Sequence, residues 1–146
     1  MARIEIPIPD GFAHEARLTV RIADVNYGGH LGNDRLLSLL QEARLGLLAG
    51  WGFSERDAGG AGLIMTGAAV EYRAQAFYGD ELRIRVAVGE IGRAAFDLLY
   101  LVTHVDTHRE VARARTAMAF YDYAHNRVAR MPAAFRARLG QGAGSE

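Results

Sequence analysis

One segment of this sequence, from about Asn33 to Ala49, can form a helix that is apolar on nearly every side. Its apolar residues recur at helical spacing and are Leu36, Leu37, Leu40, Ala43, Leu47 and Leu48. Leu39 widens the apolar face further, so that few polar positions remain. Because such a helix cannot lie on a surface, the rest of the chain has to wrap around it.

The wrapping material is one strand-like run before the helix and four after it. The first run, Ala16–Ala23, alternates apolar and polar residues as a half-buried strand does. The later runs are separated by short turns and cover Leu63–Ala74, Glu81–Gly89, Ala94–Val105 and Glu110–Tyr123. The spacing predicts an antiparallel meander. The expected fold class is α+β, with a curled, five-stranded antiparallel sheet around one long central helix.

Composition sets limits on the domain organisation and on the partners. The 146 residues are 50% hydrophobic, which suits one domain over 1–146, with its core at about 16–136, a short helix after Pro132 and a frayed tail at 137–146. The 17 basic residues, all Arg, balance 17 acidic ones, so no nucleic-acid or membrane partner is expected. Cysteine is absent, which excludes thiolate chemistry. No signal peptide or membrane span is recognisable, so a cytoplasmic location is expected.

The junction between the first strand and the helix concentrates polar groups in a Gly-rich turn. Asp24, Asn26, His30 and Asp34 all fall within it, around Gly28 and Gly29. Loops that are held between rigid elements often carry function, which makes this turn the candidate site. Asn33 is the predicted N-cap of the helix, and Asp34 suits the positive end of the helix dipole.

Three motifs resemble a family of known fold. They are the turn from Asp24 to Asp34, the pair of runs Val70-Glu-Tyr-Arg73 and Tyr78-Gly-Asp-Glu-Leu82, and the strand Val111–Asp122. In this order, over about residues 16–136, they resemble the hotdog-fold acyl-CoA thioesterases of the 4-hydroxybenzoyl-CoA thioesterase-like group. The resemblance implies hydrolysis of an acyl-CoA substrate, no cofactor besides the coenzyme A that the substrate carries, and a homodimer or homotetramer.

The first motif departs from the family pattern at the catalytic position. The family has Asp-x-Asp, with the second Asp acting on the thioester or on water, and Asn26 stands at that place. An amide cannot take a proton from water. Asn26, with backbone N–H groups, is therefore expected to polarise the thioester carbonyl. The predicted base is Asp34, with Asp24 second, and His30 can also serve as base or as a donor to the carbonyl. Asp24 is expected above all to hold the turn.

The remaining substrate contacts are assigned from position in the chain and, for coenzyme A, from what the resemblance implies. Tyr27 is expected to pack or to line the acyl pocket, Thr66 to border the substrate channel and Arg73 to meet the phosphates of coenzyme A. Gly28, Gly29 and Asn33 complete the predicted substrate-binding group, and Glu71 is expected to be solvated or paired with Arg.

The sequence is also compatible with two other functions. Hotdog hydratases and dehydratases use an Asp-x-Asn and His constellation that Asp24, Asn26 and His30 resemble. A chain that lost its base while it kept the fold would bind acyl-CoA without turnover. No metal site is predicted, because His104 and His108 flank a chain reversal and lack an obvious third ligand.

Overall fold

The computed structural model describes residues 3–143 and shows two α-helices and an antiparallel sheet. The elements are β1 (His14–Thr19), a 3₁₀ helix (Ile22–Asp24), α1 (Asn33–Gly50), β2 (Gly62–Tyr72), β3 (Glu81–Ile91), β4 (Ala95–His104), β5 (Glu110–Asp122), β6 (Arg127–Val128) and α2 (Ala133–Ala143). Neither helix combines the length and the apolar character that a membrane span needs.

Helix α1 is the centre of the core, as its apolar periodicity predicts. Leu36, Leu40 and Leu47 are at most 2% exposed, and burying a leucine side chain contributes about 1.5–3 kcal/mol. The helix ends at Gly50, and Gly52 follows with a φ of +87°, a conformation that glycine adopts without strain. The predicted hotdog architecture, a sheet wrapped around one long helix, is confirmed.

The strand order is β1-β3-β4-β5-β2, and all of these neighbours are antiparallel. The predicted meander is right for β3, β4 and β5 and wrong for β2, which pairs with β5. The position beside β3 is already taken by β1, whose His14 lies opposite Val86. The predicted five strands are therefore present, and the two-residue strand β6 extends the sheet beside β5.

The two faces of the sheet differ in chemistry because strand side chains alternate. In β3, Leu82 and Ile84 are buried against α1, whereas Arg83 and Arg85 point to the outer face. The inner face thus completes the core, and the outer face carries the arginines.

Helix α2 closes the open end of the core. Phe135 packs with ring centroids 5.0–5.9 Å from those of Trp51, Phe53, Phe96 and Phe120. Leu139 is fully buried, so the tail predicted to fray from residue 137 is helical as far as Ala143. Residues 144–146 of that predicted tail lie outside the described residues.

Candidate active site

The segment after β1 is organised by Asp24. Its carboxylate accepts hydrogen bonds from the backbone N–H of Arg21 at 2.8 Å and from the Arg21 guanidinium at 3.2 and 3.3 Å. These bonds close the 3₁₀ helix, which is why β1 ends at Thr19 and not at Ala23 as predicted. Burial alone would raise the pKa of Asp24, but the bonds from Arg21 outweigh it and lower the pKa. Asp24 therefore holds the turn.

The glycine turn is closed by the backbone and side chain of Asn26. Its Oδ1 accepts from the N–H of Gly28 at 2.9 Å, and its carbonyl accepts from the N–H of Gly29 at 2.9 Å. Gly29 has a φ of +88°, which favours glycine. The N–H of Asn26 donates to the carbonyl of His30 at 2.9 Å, and this bond fixes the backbone position of His30.

His30 is held by its backbone and by its ring. The next residue, Leu31, donates its N–H to the carbonyl of Ala76 at 2.7 Å, and the Nδ1 of His30 lies 3.2 Å from the carbonyl of Leu31. If Nδ1–H donates to that carbonyl, Nε2 is the basic nitrogen. A Cβ built on Gly28 would lie 3.5 Å from the Nε2 of His30 and 3.2 Å from the Oδ1 of Asn26.

The N-terminus of α1 is not capped by a side chain. The N-cap is Gly32, whereas the sequence predicts Asn33, which is instead the first helical residue. The Asn33 prediction fails because the N–H of Gly32 bonds to the carbonyl of Asp24 at 3.0 Å and fixes the chain one residue earlier. Among the described residues, the N–H groups of Asn33, Asp34 and Arg35 have no acceptor.

A cleft of about 290 Å³ opens at this helix end. It lies between the start of α1 and the end of β2, and its lining consists of His30, Leu31, Gly32, Asn33, Leu36, Tyr72, Arg73, Ala74, Gln75, Ala76 and Val111. Tyr72 donates its hydroxyl to the carbonyl of Asn33 at 2.9 Å and so ties the two walls together. Tyr72 stands in the second of the three motifs, but the sequence alone indicates no role for it.

Three of the predicted site residues line this cleft: His30, Asn33 and Arg73. The guanidinium of Arg73 is bound by the carboxylates of Glu71 and Glu110, so it is not a free cation. Glu71 is paired with Arg, as predicted, but it is buried and not solvated.

Other predicted residues lie outside the lining of the cleft. Asp34 is exposed beside the helix start, and Tyr27 is fully exposed at the tip of the turn, so within one chain it neither packs nor lines a pocket. Thr66 lies in β2 at the register shift of its pairing with β5 and donates its hydroxyl to the carbonyl of Ala117 at 3.3 Å. Gly28 shapes the space beside His30.

Comparisons with known proteins agree with this architecture. The structure resembles a 1,4-dihydroxy-2-naphthoyl-CoA thioesterase from Synechocystis, with 19% identity over 86% of this chain and 94% of that one and a TM-score of 0.79. It also resembles a gentisyl-coenzyme A thioesterase, with 17% identity, 86% and 98% coverage and a TM-score of 0.76. A third similar structure is a thioesterase from Thermus thermophilus complexed with coenzyme A and Zn, with 24% identity, 94% and 100% coverage and a TM-score of 0.78.

Sequence comparison points to the same group. No curated protein matches the chain at a significant level. A family model described as the thioesterase-like superfamily matches residues 20–139, which include the turn, α1, the cleft and the whole sheet apart from β1. The chain therefore belongs to the thioesterase-like superfamily, and it is a thioester hydrolase.

Proposed function

We propose that this protein hydrolyses a small or medium acyl-CoA thioester, aliphatic or aromatic, with His30 activating water beside the N-terminus of α1. The observation that carries the proposal is one cleft lined by both a histidine with an available ring nitrogen and an uncapped helix start. A base and a set of backbone donors at one point are what water attack on a carbonyl requires.

The donors for the carbonyl oxygen are the N–H groups of the first helical turn. Those of Asn33, Asp34 and Arg35 have no acceptor in the described structure, and the helix dipole places partial positive charge there. The charge that develops on the thioester oxygen is stabilised at such a position. The exposed carboxamide of Asn26 offers an additional donor beside the turn.

His30 is the base that the geometry favours over the two carboxylates. Asp24 is bound to Arg21, and Asp34 does not line the cleft. The Oδ1 of Asn26 and the Nε2 of His30 lie 3.2 and 3.5 Å from the position of a Cβ on Gly28, and such a pair of acceptors suits a water molecule beside this glycine. The binding of Asp24 to Arg21 also leaves the alternative hydratase chemistry without its acid–base partner for His30.

The reaction balances with these groups alone. Nε2 of His30 takes one proton from water as the water oxygen forms a bond to the carbonyl carbon. The tetrahedral intermediate collapses with cleavage of the carbon–sulfur bond, and the departing thiolate of coenzyme A takes the proton from His30. The products are the carboxylic acid and free coenzyme A.

Support for coenzyme A as the carrier comes from the similar structures. Two of the three are named for hydroxylated aromatic acyl-CoA substrates, and the third holds coenzyme A. A cleft of about 290 Å³ suits a compact acyl group.

We further propose that two copies associate through β2. This edge strand carries no charged residue from Gly62 to Val70, and four consecutive residues, Met65–Ala68, are exposed. An uncharged, unpaired edge is a surface that proteins usually cover. Antiparallel pairing of β2 with its copy satisfies a two-fold axis. Light scattering after chromatography should give the mass of a dimer or a tetramer. Ala68→Glu places a charge in this edge strand and should lower the mass of the oligomer.

The test of the function is a thiol-release assay with short, long and aromatic acyl-CoA esters. Wild type should turn over at least one ester. His30→Gln should lower kcat by ~10²-fold or more, while Asp34→Asn, the matched change at the neighbouring carboxylate, should stay close to wild type. Full loss in Asp34→Asn with an active His30→Gln would move the base to Asp34.

Two outcomes would replace the proposed reaction. Hydration of an enoyl thioester without thiol release would favour the hydratase interpretation. Tight binding of acyl-CoA with no turnover of any ester would favour a binding protein that has lost its catalytic base.

A further inference from the structure

The N-terminal segment, residues 3–12, lies on the outer face of the sheet. Ile6 is only 3% exposed; its N–H donates to the Oε1 of Glu71 at 3.3 Å, and its carbonyl accepts from Arg113 at 3.3 Å. Further along, the ring of Phe12 lies 5.6 Å from the guanidinium carbon of Arg85. The segment is therefore anchored to the sheet at two points.

Glu71 is the residue that this segment buries. It is 8% exposed, and both of its oxygens are used: Oε1 accepts from Ile6, and Oε2 accepts from the Nε–H of Arg73 at 2.7 Å and lies 2.6 Å from the Nη2 of the same guanidinium. The hydrogen bonds from Arg73 lower the pKa of Glu71, against the opposing effect of burial. A carboxylate held on both oxygens gives Arg73 a fixed partner.

Arg73 separates two cavities. On one side is the active-site cleft, and on the other is a groove of about 410 Å³ beneath the N-terminal segment. Glu110 accepts from the Nη1 of Arg73 at 3.1 Å. Because a guanidinium has five N–H groups and the hydrogen bonds to these two carboxylates use two of them, Arg73 keeps further donors for a ligand while it lines the cleft.

We propose that Glu71 is a positioning residue: clamped by the N–H of Ile6, it holds Arg73 where the arginine binds the phosphate-bearing arm of the coenzyme A substrate. A planar guanidinium binds phosphate with two parallel hydrogen bonds, so its orientation decides the strength of the contact. This inference rests on the proposed function. It makes the N-terminal segment part of the substrate-binding machinery, through Glu71 and Arg73.

The first test compares Ile6→Pro with Ile6→Ala. Both variants lose the isoleucine side chain, but only proline also lacks the N–H that Glu71 accepts. Ile6→Pro should raise the KM for an acyl-CoA ester roughly fivefold above that of Ile6→Ala, with the same kcat. The KM for the matching N-acetylcysteamine thioester, which has no phosphate, should be equal in the two variants. Equal KM values for the acyl-CoA ester would overturn the inference.

A double-mutant cycle separates positioning from a general loss of structure. In an Arg73→Gln background, Ile6→Pro should cause no further rise in KM, because the residue it acts through is gone. Additive effects of the two changes would show that the segment does not act through Arg73. Where Ile6→Pro lowers the melting temperature below the assay range, Glu71→Gln replaces it in the same cycle.

Failure of the proposed function can be told apart from failure of this inference. If wild type hydrolyses no thioester, the proposed activity is wrong, and the same cycle is then run on the Kd of coenzyme A by calorimetry. Coupling between Ile6 and Arg73 in that Kd supports the positioning role, and independent effects overturn it. If wild type hydrolyses acyl-CoA but the cycle is additive, only the positioning role is wrong.

Discussion

Two polar regions touch α1, and they use their hydrogen bonds in opposite ways. Near the middle of the helix, Arg44 donates to Glu55 at 2.6 Å and to the hydroxyl of Tyr100 at 3.1 Å, and that hydroxyl lies 2.8 Å from the hydroxyl of Thr116. No buried side-chain nitrogen or oxygen lacks a partner in the part of the chain that the structure describes. At the start of the helix, by contrast, backbone donors have no acceptor.

The difference separates stability from function. Burial raises the pKa of Tyr100, so it remains a neutral hydroxyl that accepts from Arg44 while it shares a hydrogen bond with Thr116. A buried network in which every group is paired favours one packing of the core. The helix start leaves its backbone N–H groups unused among residues 3–143, and a thioester carbonyl can accept from them. The following changes test this contrast.

The largest effect is expected from capping the helix start. Gly32→Ser supplies an oxygen for the first-turn N–H groups, which should make the fold about 1 kcal/mol more stable than that of Gly32→Ala and lower kcat/KM by ~10²–10³-fold. Gly32→Ala is the control, since it adds the same Cβ without the oxygen; in both variants that Cβ would lie 2.9 Å from the exposed carboxylate of Asp34. Thermal melting and thiol release measure both effects. A fully active Gly32→Ser would rule out the helix start as the carbonyl site.

Removing Arg44 from the buried network should have the opposite effect, a loss of stability without a loss of activity. Arg44→Met removes the donor to Glu55 and Tyr100, which keep their side-chain bonds to Gln41 and Thr116. It should reduce the free energy of unfolding by about 2 kcal/mol, while kcat stays near the wild-type value. Arg35→Met, at an exposed position of the same helix, should change stability by less than about 0.5 kcal/mol. Urea titration and thiol release provide the readout. A large fall in kcat with unchanged stability would place Arg44 in the active site.

A smaller effect is expected where the turn meets His30. Gly28→Ala puts a methyl group 3.2 Å from the Oδ1 of Asn26 and 3.5 Å from the Nε2 of His30, which should lower kcat about tenfold by displacing water. Gly29→Ala meets no atom within 4 Å but has a φ of +88°, so it should cost about 1 kcal/mol of stability at unchanged kcat. If Gly28→Ala keeps the wild-type kcat, water is not held beside Gly28.

The smallest effect concerns the pH dependence of Asp24. Since its pKa in the folded state lies below the ordinary value of about 3.9, its stabilisation is present above that value and is lost as the pH falls through the folded-state pKa. Asp24→Asn should therefore lower stability by about 1 kcal/mol at pH 7, and the difference from wild type should shrink below about pH 4. Melting curves from pH 7 to pH 2.5 measure this difference, with Asp10→Asn as an exposed control. A stability difference between wild type and Asp24→Asn that does not change with pH would contradict the role of the Asp24 carboxylate.

The sequence predicted the parts of the site whose signal is local. His30 and Asn33 were identified from the turn, and both line the cleft. The N-cap was misplaced by one residue because the bond from Gly32 to the carbonyl of Asp24 decides where α1 begins. Tyr72 and Gln75 could not be assigned, since they reach the cleft only through the pairing of β2 with β5.

Periodicity and turn residues by themselves determined the central helix, the five strands and the cluster of polar groups before α1, because each depends on neighbours within a few positions. Only the tertiary structure decided which strand lies beside which, which of Asp24, His30 and Asp34 reaches the cleft, and that the N-terminal segment covers Glu71. Those outcomes depend on contacts between residues far apart in the chain, such as Ile6 with Glu71 and Leu31 with Ala76. Such contacts leave no periodic trace in the sequence, because they form only when the sheet closes around the helix.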